Sequence, residues 1–314
     1  MATEEEIRNA LKLVEDPELR MSVVDLGLIY GIERDDEGNV EIEIVHQYSK
    51  GFDECRKIIA PLLSDILGEN IVVKEEVPSS RGTGYYTVTF GSAKEYEVET
   101  GVAGAAKGGD LLSGDSFSTA ELGNGKFVVA LSDGMGNGER ARAESSTALS
   151  ILQQLLQSGM DEKLAIKSVN SVLLLRSPDE MYATVDMALI DLYTASTTFM
   201  KIGSTPSFIK RGNEVIAITA NNLPVGILNE IEVDLISIQL KPGDTLIMMT
   251  DGLYEAPRYA VNKELWMKRV IGEIEAEDPQ QFADCLLERI VRERQGEIED
   301  DMTVIVAKIA KYKP

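Results

Sequence analysis

The chain has 314 residues, 44% of them hydrophobic and 27% charged, with 53 acidic side chains against 31 basic ones and a formal net charge of −22. This size and mix suit a soluble globular protein of about two domains. The acidic excess argues against nucleic acid as a partner, because binding a phosphate backbone needs a basic face; a protein substrate or a cation fits the balance better.

In chain order, "EEEIRNALKLVEDPEL" carries Ile7, Leu11 and Val14 at helical spacing, and Asp16-Pro17 would end that helix. "LGLIYGIERDDEGNVEIEIVHQ" reads as two strands around an Asp-Asp-Glu-Gly-Asn turn. "FDECRKIIAPLLSDILG" reads as a helix closed by Gly68, and "NIVVKEEV" as a strand. A small α-β-β-α-β module results. The turn-rich "PSSRGTG" at 78–84 is the best linker candidate, which sets domain bounds at 1–84 and 85–314.

Beyond that linker, strand-like stretches cover 85–90, 126–132, 186–193, 197–202, 207–210, 215–218, 244–250 and 302–309, and helical patterns cover 139–159, 161–176, 262–274 and 278–296. Two long helices in succession, then a meander of strands, do not alternate as a doubly wound parallel sheet would. The layout is α+β, with sheets covered by helices.

The only cysteines, Cys55 and Cys285, are too few for a disulfide framework or a Cys-rich zinc site, which points to a cytoplasmic protein. No stretch approaches about 18 consecutive apolar residues, and "MATEEEIRNA" is acidic where a signal peptide is basic. No membrane segment is expected in this chain, which could be the soluble piece of something longer.

The chemistry-bearing signal is a set of aspartates at strand mouths. Asp133 follows the apolar run 127–131 and opens "DGMGNGER", where Asp-Gly alone would be only a turn. Asp115 stands in "LLSGDSFS", Asp251 in "DTLIMMTDGLYEA" and Asp300 in "EIEDDMTVIVAKI". Magnesium and manganese prefer carboxylate and water oxygens, and a two-metal site needs one carboxylate to bridge while others hold each ion. A glycine after the aspartate, such as Gly134, lets a backbone carbonyl join through water.

Other phosphoryl chemistries fail on the same residues. The single histidine, His46, lies in the small module, and neither cysteine is followed six positions later by arginine, since Pro61 and Val291 stand there. "GVAGAAKGG" and "GMGNGER" lack the Gly-Lys-Ser/Thr ending of a Walker A loop. Carboxylate-bound metal remains.

The order "SGDSFS", "SDGMGNG", "TDGLYEA", "DDMTV" resembles the metal-dependent phosphatases of the protein phosphatase 2C class. From about 95 to 311 the chain is similar to the phosphatase domain of the SpoIIE family, carried by "VETGVAGAAKGG", "SDGMGNGERA", "KIGSTPSFIKRG", "NNLPVGI", "LIMMTDGLYE" and "DDMTVIV". The resemblance implies an αββα sandwich with the metals at one edge of the sheets, and protein serine/threonine phosphatase activity with two Mn²⁺ or Mg²⁺ ions. Carried across by residue, it implies catalytic Asp133 as the bridging ligand, with the Gly134 carbonyl reaching a metal-bound water. Catalytic Asp251 and Asp300 would hold one metal, Asp115 would help with the other, and the activated water would attack the phosphorus in line.

Met135 stands where some relatives have a histidine, so no side-chain general acid is supplied, and no motif marks a phosphate-gripping arginine. The implied substrate is a serine-phosphorylated, SpoIIAA-like anti-anti-sigma factor, whose dephosphorylation activates a sporulation sigma factor. The resemblance further implies regulation through the helices at 139–159 and 161–176, a possible homodimer, and full-length relatives anchored at the cell membrane or division septum.

"DECRKIIAPLLSDILGENIVVKEE" suits the regulatory segment of that family, whereas 1–45 resembles the PaaD-type iron–sulfur carrier assembly domain. The Thr/Pro-Gly-Cys-Pro loop of the latter is absent from "VHQYSKGFDEC". A native segment and a chimera both stay open. A catalytically idle phosphatase-fold scaffold and a related metal-dependent phosphoester hydrolase are the alternative functions. Glu255, Asp301, Asp186 and Asp191 read as solvated or structural, Met181, Met248, Met249 and Trp266 as core, and His46 as a surface or hairpin residue.

Overall fold

A computed structural model describes residues 4–313 apart from 14–19, 23, 26–28, 35–39, 48–52, 81–83, 123–124, 137, 177–181, 220–222, 229–230, 232 and 234. The end of the first predicted helix, the Asp-Asp-Glu-Gly-Asn turn and Met181 therefore lie outside the described residues. Two compact units divide the chain, Met1–Lys94 and Glu95–Pro314.

The first unit contains α1 (Glu4–Leu11), β1 (Ile29–Arg34), β2 (Val40–Gln47), a π-helical turn (Cys55–Ile59) running into α2 (Ala60–Leu67), β3 (Ile71–Pro78) and β4 (Tyr85–Ser92). Its antiparallel sheet has the order β1-β2-β4-β3. Gly68 ends α2 in the left-handed region at φ 71° and donates its N–H to the Ser64 carbonyl, as its place in the sequence predicts.

One expectation is corrected here and another narrowed. The stretch 78–84 is not the link between units: the Ser79 N–H donates to the Tyr85 carbonyl across a hairpin, and β4 is an inner strand whose Val88 and Phe90 are fully buried. A Gly/Ser-rich turn signal is common to hairpins and linkers, so the boundary moves from 84/85 to 94/95. His46 is buried rather than on the surface, with Nε2 3.0 Å from Glu54 Oε2.

The second unit runs β5 (Tyr96–Ala105), β6 (Asp115–Glu121), β7 (Lys126–Asp133), α3 (Gly138–Gln157), α4 (Glu162–Arg176), β8 (Val185–Asp191), β9 (Ser196–Ile202), β10 (Ser207–Arg211) and β11 (Glu214–Ile218). It continues through β12 (Leu235–Gln239), β13 (Thr245–Met249), α5 (Asp251–Tyr254), α6 (Lys263–Glu273), α7 (Pro279–Glu293) and β14 (Met302–Lys311). Two five-stranded antiparallel sheets form, β11-β10-β13-β14-β5 and β12-β9-β8-β7-β6.

Period-two alternation builds the layers. On β7, Val129 and Leu131 enter the core between the sheets, while Val128 and Ala130 pack under α3 and α4. On β14, Ile305, Ala307 and Ile309 face the same inter-sheet core, and Val304 and Val306 pack with Met267, Phe282 and Leu286 of α6 and α7. Strands buried on both faces read as unbroken apolar runs, which is why β7, β13 and β14 stand out in the sequence. The architecture is the expected αββα sandwich, and Met248 and Met249 are core. The helices α6 and α7 are capped by the first residues of their sequence patterns: Asn262 accepts from the Leu265 N–H and Asp278 from the Gln281 N–H.

One polar cluster sits inside this sandwich. Lys201 on β9 and Asp186 on β8 are 1% and 2% exposed and pair at 2.7 Å, and the Ser207 hydroxyl, at the start of β10 in the other sheet, donates to the same carboxylate oxygen at 2.7 Å. Burial lowers the Lys201 pKa, and the Asp186 charge opposes that shift. Breaking such a pair strands a buried charge, whereas replacing both members need not. Lys201→Met is therefore expected to cost about 3–5 kcal/mol in urea unfolding, and Lys201→Met with Asp186→Leu to recover most of that loss. Equal stability of the single variant and the wild type would contradict this account.

Candidate metal centre

The antiparallel pairing of β6 and β7 sets the first two aspartates side by side. Asp115 opens β6, Asp133 closes β7, and the two are direct cross-strand partners. The second sheet supplies the other two: Asp251 starts α5 one residue after β13 and Thr250, and Asp300 lies two residues before β14. Their elements meet closely. A Cβ on Gly252 would lie 2.1 Å from the Asp301 carbonyl oxygen and 3.2 Å from Asp300 Cβ, so only glycine lets the first turn of α5 pack on this corner.

Gly134 is gripped in the same way. A Cβ there would stand 2.0 Å from the carbonyl oxygen of Ala141 in α3, and on the other side Gly134 forms a bridge with Ala183. The Asp133 N–H donates to Thr184 Oγ1 at 2.9 Å, and the Thr184 N–H returns a bond to the Asp133 carbonyl. The backbone around Asp133 is thus held from two directions.

Four acids in one corner repel each other, and burial makes the repulsion matter. Burial first, and then the negative charges of Asp115 and Asp251, push Asp133 up to about 9; a side-chain hydrogen bond with Asp251 and the Asp300 charge add to this. Asp115 is pushed up to about 7, chiefly by burial and further by Asp301 and Asp251, against the opposing hydrogen bonds of Thr303 and Thr250. Asp133 is thereby brought together with Asp115, Asp251 and Asp300, all four predicted residues.

The donor set fits a hard divalent cation. It is all oxygen, and Asp115 Oδ1 is buried without a hydrogen-bond partner, an atom whose desolvation a cation would offset. Among the described residues no three His, Cys, Asp or Glu side chains are close enough to grip an ion alone.

Two supporting threonines escape a sequence reading, and a third supporting residue, Asp301, reads as structural. Thr250 donates from Oγ1 to Asp115 Oδ2 at 2.9 Å, Thr184 anchors Asp133, and Asp301 accepts the Gly114 N–H at 2.6 Å and the Lys107 N–H at 2.8 Å. Asp301 is structural, as expected; the "TD" and "DD" doublets were the only trace of these partners.

A two-sheet sandwich with carboxylates converging from both sheets at one edge defines the class of PP2C-type phosphatase folds. In keeping with this, the chain is similar to the solved PP2C phosphatase domain and regulatory-domain fragment of the cell fate determinant SpoIIE from Bacillus subtilis, at 49% identity and a TM-score of 0.78, covering 99% of this chain and 88% of that one. The model of "Stage II sporulation protein E (SpoIIE)" matches residues 123–310, and that of the "SpoIIE, regulatory domain" matches 1–92. Stage II sporulation protein E of Priestia megaterium is 55% identical over 91% of this chain and 48% of its own length; that of Bacillus subtilis (strain 168) is 53% identical over 91% and 34%. The chain belongs to the SpoIIE family, and it spans half or less of the length of these relatives. The regulatory match takes in the first 45 residues.

A carboxyl whose folded pKa is raised keeps a proton that the unfolded chain releases near 3.8, so the metal-free fold loses stability as pH climbs from there toward about 9. Asp133→Asn is expected to flatten that decline and to raise the melting temperature of the metal-free protein at about pH 8. Thermal scans in chelator across that range check it, and parallel wild-type and variant curves would refute it.

Proposed function

We propose that this chain is a metal-dependent protein serine/threonine phosphatase acting on a phosphoserine of a SpoIIAA-like anti-anti-sigma factor. Two Mn²⁺ or Mg²⁺ ions would be held by Asp115, Asp133, Asp251 and Asp300, with Asp133 shared and the Gly134 carbonyl serving through water. The observation that carries this reading is the placing of Asp133 beside its cross-strand partner Asp115, with Asp251 and Asp300 acting on it from the other sheet; burial first, and then these charges, push its pKa up to about 9. Divalent ions bound there supply Lewis acidity, which makes water nucleophilic near neutral pH and neutralises phosphoryl charge.

The chain's own groups do the rest. Asp133 must give up its proton for the site to fill, and Asp251 is the group that receives its hydrogen bond beforehand. Met135 is 46% exposed beside Asp133 and Gly134 and carries no proton to give, so the leaving alkoxide takes its proton from solvent. The bridge from Gly134 to Ala183 fixes the carbonyl-bearing segment before any ligand arrives.

Control through α3 and α4 belongs to the same reading. The carbonyl of Ala141 on α3 sits against Gly134, and Ser145 on α3 donates to the Gly114 carbonyl at 2.7 Å, so this helix contacts the neighbours of two proposed ligands. A shift of α3, including one driven by pairing with a second copy of the chain, would move both ligands. Among the described residues no helix is long and apolar enough to cross a membrane.

Phosphate release from a phosphoserine SpoIIAA-like protein at saturating Mn²⁺ tests the proposal. Asp133→Asn and Asp251→Ala are each expected to lower turnover by about a hundredfold or more while remaining folded. Metal-independent turnover would overturn the mechanism. A folded wild type with no turnover would favour the scaffold reading, and turnover of small phosphoesters but not the phosphoprotein would favour a different hydrolase.

A further inference from the structure

The proposed site needs Asp115, on an edge strand of one sheet, to stay in register with Asp251 and Asp300 at the end of the other. Strand pairing cannot provide this, because β6 and β14 belong to different sheets. Side chains span the gap: Asp301 accepts the Gly114 N–H, the Thr303 side chain bonds Asp115, and Thr250 reaches the same carboxylate. Thr250, between β13 and α5, donates its hydroxyl proton to Asp115 Oδ2 at 2.9 Å, and Thr250 Oγ1 accepts the Thr303 N–H of β14 at 2.9 Å. The Thr250 N–H in turn donates to the Thr303 carbonyl at 3.0 Å. Of the acceptors around the Thr250 hydroxyl, Asp115 Oδ2 at 2.9 Å is nearer than the carbonyls of Asp301 and Thr303, each at 3.5 Å. Asp115 Oδ1 is left buried and without a hydrogen bond.

We propose that Thr250 is a positioning residue for cation binding: its hydroxyl latches the Asp115 carboxylate of one sheet to β14 of the other, and so decides which carboxylate oxygen is left for a divalent ion. Two more contacts secure the latch. The Gly114 N–H donates to Asp301 at 2.6 Å, fixing the backbone just before Asp115, and Thr205 Oγ1 donates to the Met249 carbonyl at 2.5 Å, fixing the backbone just before Thr250. A carboxylate with one oxygen bound to a fixed hydroxyl cannot swing, and a cation then meets a preset donor rather than having to order one. The inference rests on the metal-site reading above.

The experiment is Mn²⁺ titration of the intact chain by calorimetry, without substrate, with circular dichroism as the folding check. Thr250→Val removes the hydroxyl at nearly constant volume and is expected to weaken Mn²⁺ binding about tenfold or more, in the range reported for loss of supporting hydrogen bonds to metal ligands. Thr250→Ser, which keeps the hydroxyl, is expected to bind within about threefold of wild type. If Thr250→Val does not fold, Thr250→Ala carries the same expectation without crowding the site. Wild-type affinity in a folded Val or Ala variant overturns the latch, as does a Ser variant as weak as they are. Asp115→Asn separates the two levels: unimpaired Mn²⁺ binding in that variant, or none in the wild type, overturns the metal-site reading and the latch with it.

Discussion

Everything at the business edge of this protein depends on holding together four carboxylates that repel one another. Asp115 and Asp133 are neighbours because an antiparallel register makes them so, and Asp251 and Asp300 are brought in by the opposing sheet. Without a cation the conflict is relieved by protons: Asp133 stays protonated to about 9 and Asp115 to about 7. The apolar sandwich behind them makes the arrangement tolerable. Val129, Leu131, Ile305 and Met248 interlock between the sheets and fix the strand ends whether or not the acids favour it. Stability is thus generated in the core and spent at the edge, as strained functional sites in general require.

How much of this could be read from the sequence depended on how local the determinant was. Asp133 and Asp251 each end an apolar run and precede glycine, so the strand mouth is visible in a few residues. Thr250 and Thr184 could not be read this way, because a threonine beside an aspartate acquires its role only from a partner some 50 to 135 positions away. The same logic explains the missed strands. β5 contains glycines because the backbone of Pro279 and Gln280 fills the space where a Cβ of Gly101 would stand, and that demand comes from a helix late in the chain. β12 is a half-exposed edge strand without the apolar run that marks β7. His46 lies in the β1–β2 hairpin, one of the two places expected, but its burial was not legible, because one polar residue in a hairpin strand gives no sign that Glu54 will meet it inside the unit.

The polar contacts inside the sandwich divide into two kinds with different consequences. The Lys201–Asp186–Ser207 cluster joins the sheets within the core, where a wholly apolar substitute would also pack. Thr250 and Asp301 join them at the rim, where the groups they hold must remain polar because Asp115 has work to do. A core cluster sets the spacing of the sheets; a rim latch sets the orientation of a single carboxylate.

Helix α3 is the element through which this edge is most open to control. Its first turns have no deep apolar anchor comparable to that of its later residues Ala148, Leu149 and Leu152, which are buried in the core beneath it. They are held instead by close backbone packing on Gly134, by Ala141 against Gly114 and by the hydroxyl of Ser145. Contacts of that kind are short-ranged and steep: at Gly134 there is no room even for a methyl group, so the helix cannot tilt toward the strand end without pushing it. On the proposed reading, α3 seated against β6 and β7 would hold the Asp115 and Asp133 backbones in register, through its contacts with Gly134 and Gly114. The carboxylate repulsion described at the outset would oppose that seating and a bound cation would favour it, so the two events would be linked in both directions.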